Sequence, residues 1–199
     1  GAFFAYVAAV FLYLCHFCWS RTWLWRSAFA MVLFGAVLQT LCLVLRWIIA
    51  GYLPITNLFN TQFFFCWCLA ATYIYVELRY RIHGAGLFVM FCCLLLFASV
   101  LTRDPVIPML IPALDTPLFT LHVTTSFAGY AFFAMAFSMG VLYLVQHRVG
   151  SVLLPELKLL RKINEEAVFL GFSLFTLCLI FGGIWAYVAW GYYFSWNIK

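Results

Sequence analysis

Long apolar segments separated by short polar ones make up almost the whole chain. Crossing the hydrocarbon core of a bilayer as a helix takes about 20 apolar residues, and in hydrocarbon each such segment must satisfy its own backbone groups by forming a helix. The pattern predicts one domain over residues 1–199, an all-α polytopic transmembrane bundle of about six helices. The predicted helices span 2–19, 27–50, 62–76, 84–101, 118–145 and 167–190, and the third could extend back to Leu58.

The polar segments predict two loops and one surface helix. Residues 51–61 form a loop with the sequence Leu-Pro-Ile-Thr-Asn, and residues 102–117 form a second loop. Four prolines in the second loop preclude a long helix and favour a stiff, extended segment: Pro105, Pro108, Pro112 and Pro117. Residues 151–166 alternate leucines with charged residues at helical spacing, which is typical of an amphipathic helix on a membrane surface.

Composition and charge support a membrane protein and predict its orientation. With 67% hydrophobic and 9% charged residues, the chain is too apolar for a soluble globular domain. Lys and Arg concentrate on the cytoplasmic side of membranes. One set of connections carries eight of the eleven: Arg21, Arg26, Arg79, Arg81, Arg148, Lys158, Arg161 and Lys162. We therefore expect the 151–166 helix in the cytoplasm, and both chain ends and the 51–61 and 102–117 loops on the outer face.

The net charge of +5 is then a signal of topology, and nothing in it points to nucleic acid. All eight cysteines fall inside predicted helices, which does not resemble the disulfide framework of a secreted domain.

Residues 185–196 are unusually rich in aromatic side chains. They contain three Trp, three Tyr and one Phe. Such residues crowd membrane interfaces in general. They could also form a stacking platform for a flat macrocycle such as heme, whose metal would be held by a histidine from the side. Gly191 interrupts the segment where a helix would end, while the aromatic residues continue beyond it.

Two further residues are candidates for binding such a ligand. His122 lies about 7 Å along its helix from Pro117, hence near the outer surface on a rigid element. It could ligate heme iron or make a hydrogen bond in helix packing. Arg46 lies near the end of the second predicted helix. Its guanidinium could extend to lipid headgroups or bind a carboxylate, such as a heme propionate.

Four separated motifs resemble one known family. The pattern Trp185-Ala186-x-x-x-Trp190-Gly191-x-Tyr193-x-Ser195-Trp196 resembles the tryptophan-rich "WWD" signature of heme-handling proteins of cytochrome c maturation, in particular the CcsA (ResC) branch. Three stretches agree with that branch in order and spacing: Leu-Pro-Ile-Thr-Asn-Leu at 53–58, Leu-His-Val-Thr-Thr at 121–125, and the glycine-containing segment 171–185 that leads into the signature. The resemblance covers the chain from about residue 51 to its end.

The resemblance implies a site, a ligand and partners. His122 would be the first of two external histidines that ligate the iron of a non-covalent, b-type heme in transit. Trp185, Trp190 and Trp196 would line the platform, with Gly191 and Tyr193 in the same segment. The partners implied are a CcsB (ResB) type membrane protein and an apocytochrome c with its Cys-x-x-Cys-His motif.

The location implied is the bacterial cytoplasmic membrane or the thylakoid, with the heme site on the periplasmic or lumenal face. The resemblance implies that the chain is at most part of a heme-attachment synthase. No Ser-His-Asp arrangement, zinc spacing or phosphate loop in the sequence indicates another enzyme class.

Several positions depart from the family pattern and keep alternatives open. Asn60 stands where Glu is usual, Phe194 replaces a Trp, Asn197 replaces Asp, and Ile198 replaces Pro. The helices expected to carry a second external histidine are not in this sequence. The alternative is a divergent CcsA-like scaffold or anchor subunit of a larger respiratory complex, without synthase activity. Heme b inside the bundle is disfavoured, because His16 and His122 are expected near opposite membrane faces.

Overall fold

The computed structural model describes residues 1–83 and 85–195, so Trp196 and Asn197 lie outside the described residues. This part of the chain contains six α-helices, one short 3-10 helix and no strand. The prediction of an all-α fold is confirmed. The helices are α1 (Ala2–Trp19), α2 (Thr22–Ala50), α3 (Leu58–Tyr80), α4 (Gly86–Leu101), α5 (Pro117–Val149) and α6 (Leu157–Trp190), with the 3-10 helix at Pro112–Leu114.

Four of these helices are long and apolar enough to cross a membrane: α1, α2, α5 and α6. Helix α4 is apolar but has only 16 residues. Helix α3 has 23 residues and carries polar side chains in its interior, among them Thr72 and Glu77. The six helices thus match the predicted number, while the exact number of membrane spans and the side on which each end lies stay predictions.

The helix bounds differ from the predicted ones at several ends; α2, for example, begins at Thr22 instead of residue 27. Helix α3 begins at Leu58 because the Asn57 side chain caps it, accepting a hydrogen bond of 2.9 Å from the Asn60 amide. The surface helix predicted at 151–166 is not a separate element, since the chain from Leu157 onward is continuous with α6. Its polar residues are good helix formers, and Asn164 joins this first part of α6 to α5 by donating to the Ala136 carbonyl at 2.6 Å.

Helices α5 and α6 form the most extensive helix pair, followed by α1 and α2. Two glycines bring α5 and α6 close together: a Cβ on Gly129 would lie 3.2 Å from the Gly171 carbonyl oxygen. Small residues at such crossings are typical of membrane helix packing. Helix α3 packs against α2, α4 and α5, and its contacts with α2 and α5 join the two pairs.

A buried glutamine ties together the first three helices. Gln39 of α2 is fully buried, and its Oε1 accepts a 2.8 Å hydrogen bond from the Tyr6 hydroxyl of α1. Its Nε2 donates to the Phe63 carbonyl of α3 at 2.8 Å. Both ends of the amide are therefore paired, which removes the cost of burying it among apolar side chains.

The proline-rich segment 102–117 lies across one end of the bundle. Its backbone carbonyls accept hydrogen bonds from Arg46 at 2.7 Å (Pro105), from Asn57 at 2.9 Å (Val106) and from Trp185 at 2.8 Å (Ala113). The segment therefore brings the end of α2, the 51–57 loop and the end of α6 to the same end of the molecule. That this end faces the outer compartment stays a prediction.

Candidate functional site

His122 lies in the second turn of α5, at the end of the bundle covered by the proline-rich segment. The helix starts at Pro117 and is capped by Thr116, whose Oγ1 accepts from the Phe119 amide at 3.2 Å. His122 is half-buried, and its Nδ1 lies 2.9 Å from the carbonyl oxygen of Cys178 on α6.

The Cys178 carbonyl sets the tautomer of His122. A carbonyl oxygen can only accept, so Nδ1 carries the proton and Nε2 keeps its lone pair. Metal-ligating histidines in proteins are usually held in this way, with one ring nitrogen donating to a carbonyl or carboxylate and the other free for the metal.

A glycine on α6 makes room for this imidazole. A Cβ added at Gly182 would lie 2.5 Å from Nδ1 and 2.7 Å from Cε1 of His122, well inside van der Waals contact. At the next residue, Gly183, an added Cβ would meet nothing within 4 Å. Gly182 therefore belongs to the site. The sequence pointed to it only as one glycine of a motif preceding Trp185.

Trp185 lies beside the His122 ring and is fixed in place by two contacts. The two rings are nearly parallel, at 16°, with centroids 6.2 Å apart. The Trp185 Nε1 donates to the Ala113 carbonyl at 2.8 Å, and the Phe119 ring packs against the indole at 5.2 Å. The sequence did not single out Phe119 and Ala113, which position Trp185 from the neighbouring segments.

Further aromatic rings continue from Trp185 around the end of α6. Trp190 meets Trp185 edge to face at 4.7 Å, and Tyr193 stacks on Tyr187 at 4.6 Å. We call Trp185, Tyr187, Trp190 and Tyr193 the aromatic shelf. Trp190 is 51% exposed and Tyr193 63% exposed, so the shelf presents open ring surface.

Gly191 lets the chain turn within this shelf. It ends α6 in the left-handed conformation, with φ +80°, and its amide donates to the Tyr187 carbonyl at 2.8 Å. Residues with a Cβ adopt this conformation at a cost, which favours glycine here. The helix thus ends where the sequence predicted. Trp196, the remaining predicted platform residue, lies outside the described residues.

Arg46 lies away from His122 and makes a different set of contacts. Its Nη2 and Nε donate to the Asn60 side-chain oxygen at 2.8 and 3.1 Å, and Nη2 also donates to the Pro105 carbonyl. Its guanidinium lies 4.9 Å from the Phe59 ring centroid. Within residues 1–83 and 85–195, Arg46 neither hydrogen-bonds nor stacks with His122 or the shelf. Because both oxygens belong to neutral groups, the guanidinium charge stays uncompensated by these contacts.

A cleft lies at the same end of the bundle. It has a volume of about 240 Å³ and is lined by Trp47, Tyr52, Thr56 and Phe119, among others. Arg46, His122 and the shelf residues do not line this cleft, and its link to the site is Phe119, which packs on Trp185. The Thr56 hydroxyl is buried at this cleft without a hydrogen-bond partner among the described residues.

The other histidines do not pair with His122. His16, at the end of α1, has its Nδ1 3.0 Å from the Arg21 carbonyl, and His83 hydrogen-bonds Glu77 at the end of α3. His147 stacks on Tyr143 in the last turns of α5. All three lie at the end of the bundle opposite His122, so none of the described histidines lies at the depth of His122 to share a heme with it inside the bundle.

Comparison with known proteins accounts for this combination of helices and aromatic residues. The family described as cytochrome C assembly protein matches residues 55–199. The chain belongs to this family. The similarity that the tryptophan-rich motif indicated is thereby confirmed, and together with the four long apolar helices it makes the chain an integral membrane protein.

The relatives include proteins named for cytochrome c biogenesis. The chain is 29% identical to the cytochrome c biogenesis protein CcsA of Chlorella vulgaris, over 80% of this chain and 64% of that protein. It is 24% identical to CcsA of Cyanophora paradoxa, over the whole chain and 77% of that protein. It is 29% identical to the protein NrfI of Wolinella succinogenes, over 81% of this chain but only 18% of that protein. The chain thus spans less than two thirds of the Chlorella vulgaris relative.

Proposed function

We propose that this protein acts in cytochrome c maturation by holding heme, its substrate, at the outer membrane face for attachment to apocytochrome c. The observation that carries the proposal is the His122 imidazole, whose Nδ1 is held by the Cys178 carbonyl at 2.9 Å beside a parallel tryptophan ring, in a chain of the cytochrome c assembly family. The membrane would be the bacterial cytoplasmic membrane or the thylakoid.

His122 would be an axial ligand of the heme iron. The hydrogen bond to Cys178 leaves Nε2 with its lone pair and restrains the ring, so that little conformational freedom is lost when the metal binds. A single protein histidine leaves the opposite axial position to another ligand. The resemblance implies a second external histidine for that position.

The aromatic shelf would carry the faces of the macrocycle. Trp190 and Tyr193 are more than half exposed and consist of flat apolar ring, which suits stacking against a porphyrin. Gly191 turns the chain so that Tyr193 stacks on Tyr187, and Trp196 would extend the same surface. The heme would be b-type and non-covalently held.

Arg46 would bind a heme propionate. Its guanidinium is held by the neutral oxygens of Asn60 and Pro105, which orient it without neutralising its charge. A carboxylate would supply the missing negative charge.

The chemistry asked of this chain is presentation of the substrate. In attachment, each apocytochrome thiol adds across a heme vinyl group: the sulfur bonds to one vinyl carbon and the hydrogen goes to the other, so no group leaves. No protein nucleophile is required, and the contribution of the chain is orientation of the vinyl edges towards the thiols. A CcsB (ResB) type membrane protein would be the partner that completes the assembly.

Heme content of the purified protein tests the proposal. The detergent-purified chain, with its natural partners where they co-purify, should show a Soret band and heme bound in proportion to protein. His122→Ala should remove the band or shift it. His147→Ala is the matched control: it lies on the same helix, but at the other end of the bundle, and should change nothing.

The same experiment distinguishes the alternative function. A wild-type protein without heme, purified in stoichiometric amounts with redox subunits from cells that make heme, would support the scaffold or anchor subunit. Normal heme content in His122→Ala would reject His122 as a ligand.

A further inference from the structure

A second pocket lies at the opposite end of the bundle, between the start of α2 and the end of α3. Its volume is about 530 Å³, and it is lined by Trp25, Arg26, Phe29, Glu77, Arg81 and His83. We call it the basic pocket. It is far from the aromatic shelf, and the proposed function makes no use of it.

The aromatic side of the basic pocket is rigid. The His83 ring stacks face to face on Trp25, with centroids 3.8 Å apart and an interplanar angle of 16°. The His83 Nδ1 lies 2.8 Å from a carboxylate oxygen of Glu77, which orients the imidazole from the other edge. Two flat rings and one hydrogen bond therefore fix the shape of this side before any ligand arrives.

The carboxylate of the basic pocket is buried and already hydrogen-bonded. Glu77 is the acidic residue that lines it, and only 3% of its surface is exposed. Its carboxylate forms an ion pair with His83 when the imidazole is protonated and lies 3.4 Å from the Tyr73 hydroxyl. Glu77 is thus buried with its own hydrogen-bond partners, unlike the exposed arginines that line the pocket.

The positive charge of the basic pocket is not compensated. Arg26 and Arg81 are both exposed and line the mouth. Among the described residues, neither guanidinium lies within ion-pair distance of a carboxylate, whereas Arg79 and Arg161 each have a glutamate partner. The Arg26 guanidinium rests over the Trp25 ring at 5.6 Å, which directs it along the aromatic side of the pocket.

We propose that the basic pocket binds the phosphate of an anionic phospholipid headgroup. Two guanidiniums without carboxylate partners match the planar, bidentate recognition of phosphate oxygens. The pocket opens at the ends of α2 and α3, where headgroups meet the helices, and Trp25 and Phe29 give the acyl end of the glycerol an apolar wall. A lipid fits better than free phosphate because a small anion would leave this aromatic wall uncovered.

Native mass spectrometry of the full chain in detergent tests this assignment, with phosphatidylglycerol and phosphatidylcholine as probes. The wild type should retain phosphatidylglycerol in preference to phosphatidylcholine. The double variant Arg26→Gln/Arg81→Gln should weaken phosphatidylglycerol binding by about tenfold or more, since charge-assisted hydrogen bonds are lost. Arg21→Gln is the control, because Arg21 is an exposed arginine directly before α2 that does not line the pocket.

Each of the remaining outcomes would overturn the assignment. Equal weakening by Arg21→Gln would mean general attraction to basic residues. Equal retention of both lipids by the wild type would mean that the pocket does not distinguish an anionic headgroup from a zwitterionic one. Displacement of the lipid by inorganic phosphate at comparable concentration would identify a small-anion site. Because both side chains are exposed, the double variant should keep the circular dichroism spectrum and the melting temperature of the wild type. A difference in lipid retention then reports on binding and not on folding.

Discussion

Substitution of Gly182 by alanine tests whether the orientation of His122 matters for heme binding. The new methyl group would lie 2.5 Å from Nδ1 and 2.7 Å from Cε1 of His122, so either the ring or the helix must move. The ring is the softer of the two. Its displacement breaks the 2.9 Å hydrogen bond to the Cys178 carbonyl and frees the tautomer.

The expected change in the stability of Gly182→Ala is the sum of two opposing contributions. Loss of the hydrogen bond costs about 1 kcal/mol of stability. Alanine in place of glycine within a helix returns about 1 kcal/mol. Overall stability should therefore hardly change. Heme affinity should fall roughly 10–100-fold, the usual effect of removing a partner that orients a metal ligand.

Gly183→Ala is the matched control, because an added Cβ there meets nothing within 4 Å. Both variants add one methyl group to neighbouring residues of α6. Heme titration followed at the Soret band gives the affinity, and thermal melting of the same samples gives the stability. Gly183→Ala should bind heme as the wild type does and melt slightly higher.

Equal heme affinity in the two alanine variants would refute the reasoning. It would show that the contact between Gly182 and His122 has no bearing on the ligand. A Gly182→Ala variant that loses heme only because it melts far below Gly183→Ala would equally reject the proposed cause.

Two further predictions concern the shelf and the bundle interior. Trp185→Phe keeps an aromatic ring but loses the 2.8 Å bond to the Ala113 carbonyl, so limited proteolysis should cut the proline-rich segment faster; an unchanged rate would show that this bond does not hold the segment. Gln39→Ala leaves the Tyr6 hydroxyl unpaired in the interior and removes the side-chain hydrogen bond to the Phe63 carbonyl, which keeps its bond within α3. It should lower the free energy of unfolding by about 2–4 kcal/mol in detergent melting, and a loss below 1 kcal/mol would contradict the buried network.

The sequence predicted the helices well where local chemistry decides their ends. Thr116 caps α5 and Gly191 ends α6, each by a contact within a few residues. The starts of α2, α3 and α6 differ more from the predicted ones, and α6 differs most. The polar residues after Leu157 predicted a separate surface helix. No glycine or proline stands between them and the apolar segment, so the two form one continuous helix.

The candidate site was only partly accessible to sequence reasoning. His122, Trp185 and Trp190 were recognised by residue type and motif, and packing brings them together at one end of the bundle. The contacts of Arg46 could not be predicted from residue type or motif. Its partner Asn60 lies on another helix, and its partner Pro105 on a distant loop.

By itself, then, the sequence determined an all-helical membrane bundle and a tryptophan-rich end, because apolar length, caps and breakers act within a few residues of the chain. Only the tertiary structure decided which nitrogen of His122 is free, since that depends on the carbonyl of Cys178 from another helix. The room left by Gly182 and the pairing of Glu77 with His83 are of the same kind. Contacts between helices depend on how whole surfaces pack, and no local pattern records them.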